Sequence, residues 1–206
     1  MRQDRVGRIR GGVCLFLRDD LTGEKLDSFS NSVCELLVVK VHQINTILIV
    51  IYRLPDTKLS EFMPVIRKVE CLQQSLPTPS PNIVMMGDFN FPKHVMSWVS
   101  VDGVNVPNVA GHRAAEDGSE NCHERQQAGQ LCELANMLYL TQEVDLPTRG
   151  NELLDLIWSS NKDLVSSLII EDYAEFTDHR IISATTTLQM KEEGHTERQF
   201  LLDSGK

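Results

Sequence analysis

The chain has 206 residues, 41% hydrophobic, 24% charged and 6% aromatic, with a formal net charge of −9 at pH 7. That content supports one domain with a real core, or one domain and a tail, and excludes the disordered, collagen-like, low-complexity and coiled-coil classes. The excess of acid opposes non-specific adhesion to nucleic acid or anionic membrane, yet leaves room for a nuclease, whose site needs carboxylates and whose grip on DNA depends on a local basic patch.

The first ten residues, MRQDRVGRIR, set Arg2, Arg5, Arg8 and Arg10 against Asp4 and lack the apolar stretch of a secretory signal. Gly11 and Gly12 lead into VCLFLR (13–18), a β-branched and aromatic run that breaks at Asp19-Asp20 and again at Thr22-Gly23, the pattern of a strand and its turn. Val33 to Val41 and Thr46 to Arg53 are rich in Val, Ile and Leu and closely spaced, which predicts an antiparallel hairpin in a covered sheet. With 13–18 they form a predicted meander. The longest apolar run, Ile47 to Tyr52, falls far short of the roughly 20 residues that span a bilayer, so no membrane segment is expected.

Leu59, Phe62, Met63, Ile66, Val69 and Leu72 recur at three and four residues and predict a helix that stops near Pro77 and Pro79. NIVMM (82–86) then reads as a short buried strand delivering Gly87-Asp88-Phe89-Asn90 at its C-terminal end. Residues 99–123 are polar and aperiodic, which predicts a long surface loop, and Ala128, Leu131, Leu134, Ala135 and Leu138 predict a second helix. Strands are expected at 140–144, 153–159, 165–171 and 181–188, followed by a disordered tail at 189–206. Strands mixed with two helices, without an internal repeat, predict a layered α/β or α+β sandwich.

The five cysteines are an odd number without a CxxC pair, which favours reduced intracellular thiols. The spacings of His112, Cys122, His123 and Cys132 match no zinc-ligand pattern and read as a polar loop.

Three stretches place polar chemistry directly after apolar strands: Gly87-Asp88-Phe89-Asn90, Leu154-Asp155-Leu156-Ile157-Trp158 and Thr177-Asp178-His179. In the first, Asp88 and Asn90 are two apart and point to one side, although an Asx turn closing a strand explains the same residues. Asp155 interrupts LLDLIW, where a carboxylate is costly unless paired; the alternative is the polar face of an edge strand. His179 is a fitting partner, because an aspartate that accepts one ring N–H fixes the tautomer and leaves the other nitrogen for substrate; a capping role is the alternative. Asp88 and Asp178 are the hard oxygen ligands that Mg²⁺ takes when phosphate and water complete its shell. Together these parts make a phosphodiesterase site, with Asp88 taking the proton of the attacking water, Asn90 holding a phosphate oxygen and Asp155 orienting His179.

The order GDFN, LLDLIW, TDH resembles the endonuclease/exonuclease/phosphatase superfamily. GGVCLFLR, VIYRLPD, IVMMGDFNFP, LPTRGNELLDLIWSS and TDHRII are similar to the endonuclease domain of LINE-type non-LTR retrotransposons. The resemblance covers about residues 5–188. It implies a DNase I-like α/β sandwich of two mostly antiparallel sheets flanked by helices, and a target-nicking DNA endonuclease dependent on Mg²⁺, with Mn²⁺ as the alternative. By motif it assigns Asp88 and Asn90 to water activation and phosphate contact, Asp155 to orienting His179, and Asp88 and Asp178 to the metal. Tyr52 matches the tyrosine near the scissile phosphate, Thr148 matches a DNA-side threonine, and Thr177 stands where most members have serine. Tyr52 also reads as a strand-end aromatic and Thr148 as a turn residue. An intracellular location is implied, nuclear for a retrotransposon endonuclease, and no obligate protein partner is visible.

The family places an asparagine-bearing strand and a metal-binding glutamate in a QET-like motif upstream of the region that VGRIRGGV resembles, and Glu24 and Glu35 lie in the wrong motif context to replace that glutamate. The domain at 5–188 is therefore expected to lack its first strands, with exposed sheet edges, weakened Mg²⁺ binding and impaired cleavage. Two other readings stay open: a non-catalytic remnant or interaction module, and a phosphatase of the same superfamily acting on sugar or lipid phosphates.

Overall fold

The computed structural model describes residues 1–7, 11–55, 57–92, 96–101, 104–109, 122–161, 163–172 and 177–186. Its elements, in chain order, are β1 (Arg2–Asp4), β2 (Gly12–Cys14), β3 (Gly23–Ser30), β4 (Cys34–Val41), β5 (Thr46–Arg53), α1 (Leu59–Gln74), β6 (Asn82–Asp88), β7 (Met96–Val101), β8 (Val104–Val109), α2 (Cys122–Met137), β9 (Thr141–Gln142), β10 (Asp155–Ser159), β11 (Val165–Glu171) and β12 (Ile181–Thr186).

Eight strands form the main sheet in the order β3-β4-β5-β6-β10-β9-β8-β7, antiparallel except where β5 meets β6. The period of two sorts its side chains. Leu36, Val38, Ile49, Ile51, Met85, Leu156 and Trp158 face α1 and α2 and pack with Phe62, Ile66, Val69, Leu131 and Leu134 in the main core. On the opposite face, the ribbon β1-β2 covers Leu37, Val39, Leu48 and Val50, and the ribbon β11-β12 covers Val84, Met86 and Ile157. This is the expected layered α/β sandwich, with its second layer formed, among the described residues, by two separate ribbons.

The hairpin β4-β5, both helices, β6 and the strands from 155 onward follow the predicted order. Two expectations need correction. The third strand of the meander is β3, not 13–18, of which only Val13 and Cys14 lie in a strand, β2, paired with β1. β3 reads GEKLDSFS because it is a sheet edge with a bulge between Lys25 and Asp27, and edges tolerate polar residues. The stretch from 99 is not one loop, since β7 and β8 form a hairpin there; residues 110–121 and the tail lie outside the described residues. Among the described residues no helix is long and apolar enough to cross a membrane.

Candidate active site

Sheet register alone assembles one polar row. Glu35 lies opposite Tyr52, Tyr52 beside Asp88, and Asp88 opposite Asp155. The parity of these positions puts all four on the face that carries the ribbons, because 37 and 39, 48 and 50, 84 and 86, and 157 pack there. The row ends where β6 turns. The loop before β12 brings in His179, whose Nδ1 lies 2.7 Å from Asp155 Oδ2. A ring N–H donated to that carboxylate leaves Nε2 for substrate.

Asp88 is half-buried, and burial first, then the charge of Asp155, push its carboxyl up to about 6, against the opposing pull of His179 and of the hydrogen bonds from Asn90. Asn90, in the left-handed region at φ 50, donates its backbone N–H to Asp88 Oδ1 (3.0 Å). Its Nδ2 donates to Asp88 Oδ2 (2.7 Å) and to the Arg53 carbonyl (2.8 Å). Both Nδ2 hydrogens are thus engaged, and contact with a phosphate oxygen requires one of them to turn away.

The raised carboxyl has a consequence for stability. A carboxyl whose folded-state pKa lies above the usual 3.8 favours the fold when protonated, so the contribution of Asp88 is fully present below about pH 4 and is lost as pH rises towards 6. Asp88→Asn removes the buried charge but turns one of the two oxygens that accept from Asn90 into a donor. Relative to its parent it is expected to gain about 2–3 kcal/mol as pH rises from 4 to 8, on top of a pH-independent loss of that hydrogen bond. Urea midpoints measured across that range check both the size and the pH dependence of the gain.

The threonines assigned by resemblance bond to the backbone. Thr148 is fully buried, and its hydroxyl accepts the backbone N–H groups of Leu154 (3.1 Å) and Asp155 (3.0 Å). It therefore fixes the start of β10. Thr177 Oγ1 accepts the His179 N–H at 3.1 Å and sets the entry to the histidine. Asp178 stands apart from the row: its side chain is 67% exposed and paired with Arg149 at 2.5 Å, and that guanidinium holds its carboxyl below the usual range.

Tyr52 carries the Arg5 guanidinium 4.8 Å from its ring centroid, and Arg5 is ion-paired with the fully buried Glu35. Glu35, set aside on motif grounds, thus belongs to the row with its charge matched by Arg5. Glu24 lies elsewhere, 3.2 Å from His42. Sequence reading also passed over Arg53, fully buried behind the 88–90 turn, and Gln127 of α2; an arginine ending an apolar strand was the available signal.

Asp88, Asp155 and His179 each offer one ligand atom, all within 4.8 Å of one another. Two carboxylate oxygens and an imidazole nitrogen suit a hard or borderline divalent cation, so these residues fit the metal that the motifs imply.

No protein-family model matches the sequence, and no curated protein does. Among solved structures, the fold is similar to "Endonuclease domain of TRAS1, a telomere-specific non-LTR retrotransposon", with a TM-score of 0.50 and 16% identity over 82% of this chain and 69% of that chain. The layered endonuclease-type fold that the motifs lead one to expect is therefore the fold the chain has.

Proposed function

We propose that this chain is a metal-dependent phosphodiesterase of the endonuclease type that acts on DNA, and that its turnover is slow. The observation that carries the reading is the register pair Asp88–Asp155 with His179 bonded to Asp155 at 2.7 Å, since it joins all three motifs at one sheet end. With its carboxyl near 6, Asp88 is mostly ionised at neutral pH yet remains a stronger base than a solvated carboxylate, which suits it to take the proton of an attacking water. His179 presents Nε2 to the phosphate, held in one tautomer by Asp155, and Asn90 holds the base in place. Tyr52, beside Asp88 in the row, would meet the scissile phosphate.

A bound Mg²⁺ or Mn²⁺, held by Asp88 and Asp155 with Asp178 as a further ligand, would supply charge neutralisation at the phosphate. Asp178 must leave Arg149 to serve. Arg149→Ala is accordingly expected to tighten Mn²⁺ binding by about two- to fivefold, as an exposed ion pair competes only weakly; calorimetric titration of both proteins checks it. The low rate follows from the carboxylates already engaged: Glu35 is matched by Arg5 and Asp178 by Arg149.

Those same two ion pairs favour the second reading, a module without catalysis. Cleavage of supercoiled plasmid and release of phosphate from a soluble phosphomonoester, each in Mg²⁺ and in EDTA, separate the possibilities. Metal-dependent nicking without phosphate release is the expected result; phosphate release alone indicates a phosphatase, and neither indicates the non-catalytic module. For a DNA endonuclease of this type the place of action is the nucleus.

A further inference from the structure

Arg53 ends β5 one residue after Tyr52, and its side chain is fully buried. A guanidinium taken out of water is costly unless its donors are met, so the partners reveal what it holds. Nη1 donates to the carbonyls of Phe89 (3.1 Å) and Asn90 (3.0 Å), and Nε donates to Gln127 Oε1 (2.9 Å). The guanidinium carbon lies 4.1 Å from the Phe91 ring centroid, and Gln127 Nε2 donates to the Thr57 carbonyl. The bond to Asn90 is returned, because Asn90 Nδ2 donates to the Arg53 carbonyl.

We propose that Arg53 is a positioning residue for Asp88, clamping the 88–90 turn from behind and tying it through Gln127 to α2. The chain of contacts is continuous: α2 holds Arg53, Arg53 holds the two turn carbonyls, and Asn90, fixed at both ends, holds both oxygens of Asp88. A planar fork is needed to reach two carbonyls and an amide oxygen from one strand end, and a lysine ammonium of the same charge does not reproduce that geometry. The catalytic part of this inference rests on the phosphodiesterase reading; the clamp itself does not.

The test uses the full chain carrying Arg53→Lys, with Gln127→Leu read in the same way should the lysine variant fail to fold. Amide exchange of Phe89, which donates to Leu154, and of Asn90 is expected to quicken about tenfold or more while the β4 and β5 amides keep their protection. In cleavage, kcat is expected to fall about 10- to 100-fold with KM moving less than about threefold, the mark of lost alignment rather than lost binding. Unchanged exchange at 89 and 90, equal quickening throughout β4 and β5, or selective quickening with an unchanged kcat would each overturn the proposal. If the parent also fails to cleave DNA while the quickening stays selective, the clamp stands and the phosphodiesterase reading falls.

Discussion

Replacing His179 by alanine is expected to slow cleavage of a DNA phosphodiester by about 10²- to 10⁴-fold, the range by which a positioned proton-transfer group contributes. The reason is geometric. Asp155 fixes the ring through Nδ1, so Nε2 is aimed without cost at the moment of reaction, and alanine removes that group while leaving Asp155 facing Asp88. His179 sits between Thr177 and β12, outside the apolar clusters, but its loss leaves the largely buried Asp155 without its ring partner beside Asp88, so the melting temperature should fall by several degrees while the chain stays folded. Single-turnover cleavage of a labelled duplex, with a thermal melt on the same samples, gives both numbers. Equal cleavage rates for variant and parent would remove His179 from the site.

Gly87→Ala is expected to destabilise the fold by about 3 kcal/mol or more. Gly87 has φ 145, and a Cβ there would overlap the carbonyl oxygen of Ile51, its register partner in the parallel pair β5-β6. That pair is the seam between the hairpin β4-β5 and the strands that bring Asp155, so neither strand can retreat without opening the main core at Ile51 and Met85. A native ΔG of about 5–15 kcal/mol leaves little margin for such a change. The urea midpoint should fall sharply with an unchanged slope; a midpoint equal to that of the parent would mean that β6 accommodates a side chain at 87.

The elements that were legible are those whose apolar period is complete. β4 and β5 are buried on both faces and read as unbroken Val/Ile/Leu runs, and α1 repeats its apolar residues at three and four positions. β3 was not legible because an edge strand needs no such signal. In β8, Asn105, Pro107 and Asn108 hide the valines at 104 and 106, and the pairing with β7 and β9 makes the strand. The site divides in the same way. Asp88 ends β6, Asp155 opens β10 and His179 precedes β12, so short local motifs carry all three and sheet register brings them together. Arg5 and Glu35 meet across 30 residues of chain, and Arg53 finds Gln127 across 74, partnerships that no local spacing encodes. Thr148 shows the limit of resemblance: a hydroxyl expected to face DNA instead accepts two backbone N–H groups at the start of β10.

In the proposed reaction the row ending in Asp88, Asp155 and His179 cleaves phosphodiesters with Asp88 as the base. Asp88→Asn separates activity from folding, since the variant loses the proton acceptor together with the buried charge that weighs on the parent at pH 8. The most direct measurement is nicking of supercoiled plasmid in saturating Mg²⁺ by the full 206-residue parent and by Asp88→Asn prepared in parallel. Slow nicking by the parent, abolished in EDTA, and a loss of about 10²-fold or more in the folded variant are the expected results; equal nicking by the two proteins would mean that Asp88 is not the base.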